Sequence, residues 1–200
     1  ERYPPVQFGA FPDINGMRQV RVDIGPNVFA IYPEYLNDPM IAFCPSDGEF
    51  STEVANAKDA NGNWCFGYVA GTRECANAID SSYTYIGWVF DRIEEQYGMI
   101  DVAPLVNLIR SISGENLDPT GEAPRQLING IFRIANNPSV ITGITSANND
   151  LIQQGADSDI TGLNGDGNGG GDTIYRLREG IERFLITDIN NPASSAKAQS

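Results

Sequence analysis

At 200 residues the chain can bury one sizeable core, and a hydrophobic content of 41% places it among globular rather than disordered sequences. Only 13 Lys and Arg stand against 26 Asp and Glu, a formal charge of −13. That balance argues against nucleic-acid and anionic membrane ligands, whose phosphates need clustered basic side chains, and suits an exposed protein in a medium rich in divalent cations. There is no histidine and no C-x-x-C spacing, so zinc ribbons, zincins and histidine-based catalysis are excluded. No apolar run approaches the ~20 residues needed to span a bilayer. Neither end reads as a natural terminus, and the chain is expected to be the soluble part of something longer.

Residues 1–50 carry Pro4, Pro5, Pro12, Pro26, Pro33, Pro39 and Pro45, which excludes long helices there. Met17 to Ile24 alternates in part and predicts a strand. Pro33 to Leu36 predicts a single helical turn, and Met40 to Phe43 runs into a turn at Cys44-Pro-Ser-Asp47. Residues 51–80 are polar and loop-like, with a turn at Asp59 to Gly62. Ser82 to Phe90 is rich in aromatic and β-branched residues and is the strongest strand prediction.

Apolar positions 102, 105, 106, 109 and 112 form a helical stripe over 101–113, with Pro104 tolerated in the first turn. Leu127, Ile128, Ile131, Phe132 and Ile134 repeat the pattern over 122–136. Residues 145–172 read as a long polar loop. From Asp172 to Thr187 the residues Ile174, Leu177, Ile181, Phe184 and Leu185 predict a third helix, N-capped by Asp172 or Thr173. Gly180 weakens it by about 1 kcal/mol, so a strand-to-helix break near 176–179 is the alternative. No internal repeat or second domain is apparent.

Gly165 to Gly170 satisfies G-x-G-x-x-G, but polar coil precedes it and Asp166 would repel a pyrophosphate, so a dinucleotide is not expected. Calcium takes six to eight oxygens on a flexible loop, and Asn164, Asp166 and Asn168 alternate with glycines as in the front half of an EF-hand. Asp172 stands at the ninth position, Tyr175 replaces the expected Glu at the twelfth, and Asp157 and Asp159 add two carboxylates. These six residues are the candidate metal ligands; a solvated loop without an ion is the alternative. Glu94–Glu95 and Asp157/Asp159 are weak candidates for paired-carboxylate hydrolysis.

Cys44 has no nearby basic residue to lower its pKa and reads as structural. Cys65 and Cys75 bracket a short loop that a disulfide would close, with free buried thiols as the alternative. Tyr83, Tyr85, Trp88 and Phe90 suit sheet packing first and carbohydrate stacking second.

The run Thr173-Ile-Tyr-Arg-Leu-Arg-Glu-Gly-Ile-Glu-Arg-Phe-Leu-Ile-Thr-Asp-Ile-Asn-Asn-Pro192 closely resembles a segment of the prepilin-type, pseudopilin-like proteins abundant in Planctomycetes and related bacteria. Cys44-Pro-Ser-Asp47 followed by Ser82-Tyr-Thr-Tyr-Ile-Gly87 is similar to that family's C-P-S-D and S-Y-x-Y-x-G arrangement, and Tyr3-Pro-Pro5 resembles the exit from its long N-terminal helix. The resemblance implies an α+β pilin-like head over 1–200, a single domain with an antiparallel sheet, several short helices and long loops. It further implies a leader and an apolar anchoring helix upstream, more strands downstream, and an extracellular or periplasmic location.

Some members of the wider family bind calcium near their C-terminal end, although no ligand position carries over. The expected function is a structural, non-enzymatic subunit of a filament or secretion apparatus, with other pilin-like subunits as partners, calcium as the one candidate cofactor and no nucleic acid. A secreted module binding polysaccharide or protein is the alternative, and an acidic hydrolase a third.

Overall fold

The computed structural model describes residues 3–12, 18–59, 61–64, 79–80, 82–113 and 116–179. The fold is α+β, with two small antiparallel sheets and short helices among the described residues. It divides into two compact units. One takes Tyr3 and the described parts of 88–140 and 157–179. The other takes the described parts of 4–87 and 141–156.

The second unit is built on a hairpin. β1 (Val6–Pro12) pairs antiparallel with β2 (Arg18–Pro26), with a register shift between Val6 and Phe8. Gln7 is fully buried, and its side-chain Oε1 accepts the Val28 N–H at 2.8 Å, satisfying an open donor at the start of the helix Val28–Ile31. The core joins Val28, Phe43, Ala57 and Ile79, with Phe50, Val54 and Trp64 packed against it. Phe43 stacks on Trp64 at a centroid distance of 5.9 Å, and each large side chain buried here stabilises by roughly 1.5–3 kcal/mol.

Phe50, Val54 and Ala57 lie four and three residues apart, one face of a helix. The stretch expected to be a loop from residue 51 therefore opens as the helix Phe50–Asn56. The helical turn predicted at 33–36 is displaced: the helix lies earlier, at Val28–Ile31, and residues 32–35 form a turn after it. The turn at Asp59 holds: its carboxylate accepts the N–H groups of Asn61 (2.8 Å) and Asn63 (2.9 Å), and its carbonyl that of Gly62.

In the first unit, β3 (Met99–Asp101) pairs antiparallel with β4 (Glu122–Pro124), and each strand leads directly into or towards a helix. Asp101 Oδ1 accepts the Ala103 N–H at 2.8 Å, starting the predicted helix Ala103–Ser113 with Pro104 in its first turn. The second predicted helix is shorter than expected, Arg125–Ala135, because 122–124 are consumed by β4.

The long polar loop predicted over 145–172 begins instead at 157. Helices Pro138–Ser146 and Asn149–Ala156 precede it. Both have Asn caps: Asn137 Oδ1 accepts from Ser139 N–H (2.9 Å), and Asn148 Oδ1 from Asp150 N–H (3.0 Å). Gly143 permits the tight join between them, since a Cβ there would stand 2.7 Å from the Ile152 backbone nitrogen. The apolar periodicity that revealed the other helices is weak in Pro138–Ser146, and Asn149–Ala156 is only two turns long, so the caps mark these two best.

The predicted aromatic strand over 82–90 is not a regular strand. Its ordered pairing is a single bridge from Trp88 to Arg176. The predicted helix from Asp172 is likewise absent through Glu179, where the described residues end. Ile174 and Arg176 lie instead in antiparallel bridges, to Ile160 and Trp88 respectively. The strand alternative holds for this part, and residues 180–187 of the predicted helix lie outside the described residues. No helix among the described residues is long and apolar enough to cross a membrane.

Candidate functional site

The six candidate ligands all lie in the loop over 157–172 of the first unit; five accept from a protein donor, and Asn164 instead donates its backbone N–H to Asp172. Arg176, only 1% exposed, lies with Nε 2.8 Å from Asp157 Oδ1. Its own backbone N–H donates to Asp159 Oδ1 at 2.7 Å, and Nη2 donates to the Tyr3 carbonyl at 3.1 Å. The guanidinium also lies 5.3 Å from the centroid of the Trp88 ring, whose Nε1 donates to the Ser158 carbonyl at 2.8 Å. Arg178 stands 3.8 Å from the second oxygen of Asp159. A buried arginine persists only when its donors are met, and these contacts engage Nε and Nη2.

Asp172 is not a helix cap. It closes the loop from the other side by accepting the N–H groups of Asn164 (2.7 Å) and Gly162 (3.0 Å). Those two donated hydrogen bonds, Asn164 first, hold its carboxyl below the ordinary carboxylate value. The loop is returned on itself by backbone bonds from Gly165 and Gly167 N–H to the Gly171 carbonyl. Gly167 has no room for a side chain: a Cβ would stand 2.3 Å from the Thr173 nitrogen.

Asn168 is buried at 7% exposure and uses both ends of its amide. Nδ2 donates to the Val89 carbonyl (2.8 Å) and to Asp91 Oδ1 (2.9 Å), while Oδ1 accepts the Tyr175 N–H (2.8 Å). Asp91 also accepts from Gln126 Nε2 (2.9 Å) and from the Gly169 N–H (2.8 Å), and Gln126 Oε1 accepts the Arg92 N–H (2.9 Å). Asp166 Oδ2 accepts from Asn129 Nδ2 at 2.7 Å, and its Oδ1 lies 2.7 Å from Arg125 Nε. Arg92 Nη1 donates to the Gly165 carbonyl at 2.8 Å and Arg133 Nη2 to the Gly162 carbonyl.

Asp91, Arg92, Arg125, Gln126, Asn129, Arg133 and Arg176 were therefore the partners that sequence reasoning missed. One signal was present. Arg125, Asn129 and Arg133 recur every fourth residue on one helix, which places three donors on a single face. Among the described residues no three carboxylate, cysteine or histidine groups converge as a metal would require.

The other candidates are dispersed. Glu94 accepts from Gln96 Nε2 at 2.5 Å beside the short turn Glu95–Tyr97, and both Glu94 and Glu95 are exposed. Cys44 is a free thiol, and its proximity raises the pKa of the Tyr83 hydroxyl; Cys65 and Cys75 lie outside the described residues. Tyr83 is exposed, whereas Tyr85 donates to the Pro4 carbonyl at 2.5 Å. Phe90 packs near Gly130, where a Cβ would meet its ring at 3.1 Å. No family model, no curated protein and no solved structure matches this chain.

Proposed function

We propose that the chain is the globular head of a pilin- or pseudopilin-like structural subunit, exported and assembled through an apolar helix carried elsewhere in the protein. The observation that supports this reading is the use made of the residues behind the resemblance. Arg176, within the 173–192 signature, is the largest of the fully buried side chains among the described residues, and it ties 157–159, Trp88 and Tyr3 together.

The other two segments meet in the second unit. Asp47 Oδ1 accepts the Glu49 N–H at 3.0 Å just ahead of helix Phe50–Asn56, and Ser82 donates to Glu53, on that helix, at 3.1 Å. Side chains spent on fixing backbone suit a scaffold whose task is to keep its shape within an assembly.

The precursor's coding sequence tests this. It is expected to encode a short leader and a contiguous apolar stretch of ~20 residues ahead of Glu1; a conventional cleaved signal peptide in that place would overturn the reading. Exposed Tyr35, Ile41 and Tyr83 in the second unit favour one other reading, a secreted binding module. Saturable binding on a glycan array, lost on Tyr83→Ala, would establish it.

A further inference from the structure

We propose that Arg92, Arg125 and Arg133 are the resident counter-cations of the 162–172 loop, standing where a calcium ion would otherwise be required. A calcium loop converges carboxylate and carbonyl oxygens on one ion because those oxygens repel one another without it. Here the equivalent oxygens are already turned towards guanidinium and amide donors. The Gly162 carbonyl accepts from Arg133, the Gly165 carbonyl from Arg92 at 2.8 Å, and Asp166 faces Arg125 at 2.7 Å and Asn129 at 2.7 Å. Asp172 is spent on two backbone N–H groups and feels the charge of Arg133.

The electrostatics point the same way. Between residues 162 and 172 the loop carries only Asp166 and Asp172 as carboxylates; Arg125 faces Asp166, the charge of Arg133 acts on Asp172, and Arg92 meets the Gly165 carbonyl. A divalent cation entering this loop would displace bonds already made, where Asp166, Asp172 and the neighbouring Asp91 are already matched in number by three arginines.

The glycines fit the arginines rather than an ion. A Cβ at Gly162 would stand 2.8 Å from Arg133 Nη2, and one at Gly170 would stand 2.7 Å from Arg92 Nη1. Both glycines have positive φ, 77° and 87°, so a side chain would be strained there as well as crowded. The Gly-rich composition that suggested a metal loop is what lets the guanidiniums approach the backbone. This inference rests on the loop alone and is independent of the pilin-like reading.

Thermal melting of the wild-type chain in EGTA and then in excess Ca²⁺, with Arg92→Met, Arg133→Met, Asp166→Asn and Asp172→Asn beside it, tests the proposal. The wild-type Tm is expected to be the same in both media. Each arginine variant is expected to melt about 3–10 °C lower, with no recovery on adding Ca²⁺. A calcium-induced rise in wild-type Tm that disappears in Asp172→Asn would overturn the proposal, and so would arginine variants that melt with the wild type. A rise that survives Asp172→Asn but disappears in Asp166→Asn also overturns the proposal; one that survives both arises outside this loop, and the arginine variants then decide. If those variants fail to fold, calorimetric titration of the wild type and of Asp172→Asn with Ca²⁺ decides: no heat that depends on Asp172 is expected, and such heat overturns the proposal.

Discussion

Arg176 Nε and Asp157 Oδ1 are 2.8 Å apart, with the arginine side chain 1% exposed and the aspartate 28%. The asymmetry governs what each substitution does. Arg176→Met removes a charge whose burial is already compensated, together with its donations to Asp157 and the Tyr3 carbonyl, so a loss of about 3 kcal/mol is expected. Asp157→Asn retains an acceptor in a partly solvated position and is expected to lose about 1 kcal/mol. In urea unfolding, the double variant is expected to fall short of the sum of the two singles, because they share one interaction. Strict additivity would show that the pair is not coupled.

Acid is expected to loosen the 162–172 loop. The folded-state pKa of Asp172 lies below its ordinary value because Asn164 and Gly162 donate to the carboxylate. Its contribution is therefore present above the unfolded pKa and is lost as pH falls through the folded one, in the range below about pH 4. Asp59 and Asp118, also lowered by hydrogen bonds within their own turns, act with the same sign. Melting curves from neutral pH downwards should show a fall below that point, and Asp172→Asn should flatten it.

Asp80 has the opposite sign. Burial raises its pKa, partly offset by the Ile24 N–H that it accepts at 2.9 Å. Stability linked to Asp80 is present below its unfolded pKa and is lost as pH rises through the folded one. Asp80→Asn keeps an acceptor for Ile24 without the charge, so it is expected to raise Tm at pH 7 and to give no gain in acid. A lower Tm at neutral pH would contradict this.

Gly167→Ala and Gly48→Ala form a matched pair. The first places a Cβ 2.3 Å from the Thr173 nitrogen and 2.7 Å from its carbonyl oxygen, backbone atoms that cannot move aside independently. The expected cost is about 3 kcal/mol. Nothing lies within 4 Å of a Cβ at Gly48, so that change should stay within about 0.5 kcal/mol. Equal effects in chemical denaturation would refute the account of the loop's crowding.

Phe43→Ala opens the core of the second unit, where Phe43 is 2% exposed and stacked on Trp64. A loss of about 3–5 kcal/mol is expected. Hydration of Trp64 should shift its emission to longer wavelength. An unchanged spectrum in the folded variant would mean that the ring stays covered without its partner.

The helices Ala103–Ser113 and Arg125–Ala135 were legible because their apolar spacing is a local property, and so was much of β2 from its alternation. Helix Phe50–Asn56 and the pair after Asn137 were missed because all three are short, so each offers only a turn or two of apolar spacing. The composition placed oxygen-rich and glycine-rich residues at 157–172, and that prediction of an acidic loop stands.

Which charges would answer those oxygens was not a local matter. Asn168 meets Asp91 across 77 positions, Asn129 meets Asp166 across 37, and Arg176 reaches Tyr3 across 173. A buried polar side chain needs a donor or acceptor from somewhere, but which one depends on how the chain returns on itself. The sequence by itself determined the class of fold, the helices with strong stripes and the location of the acidic loop. Only the tertiary structure decided that 173–177 is extended, and that arginines from 92, 125, 133 and 176 are what the loop holds, because desolvation penalises every unpaired group once those segments meet.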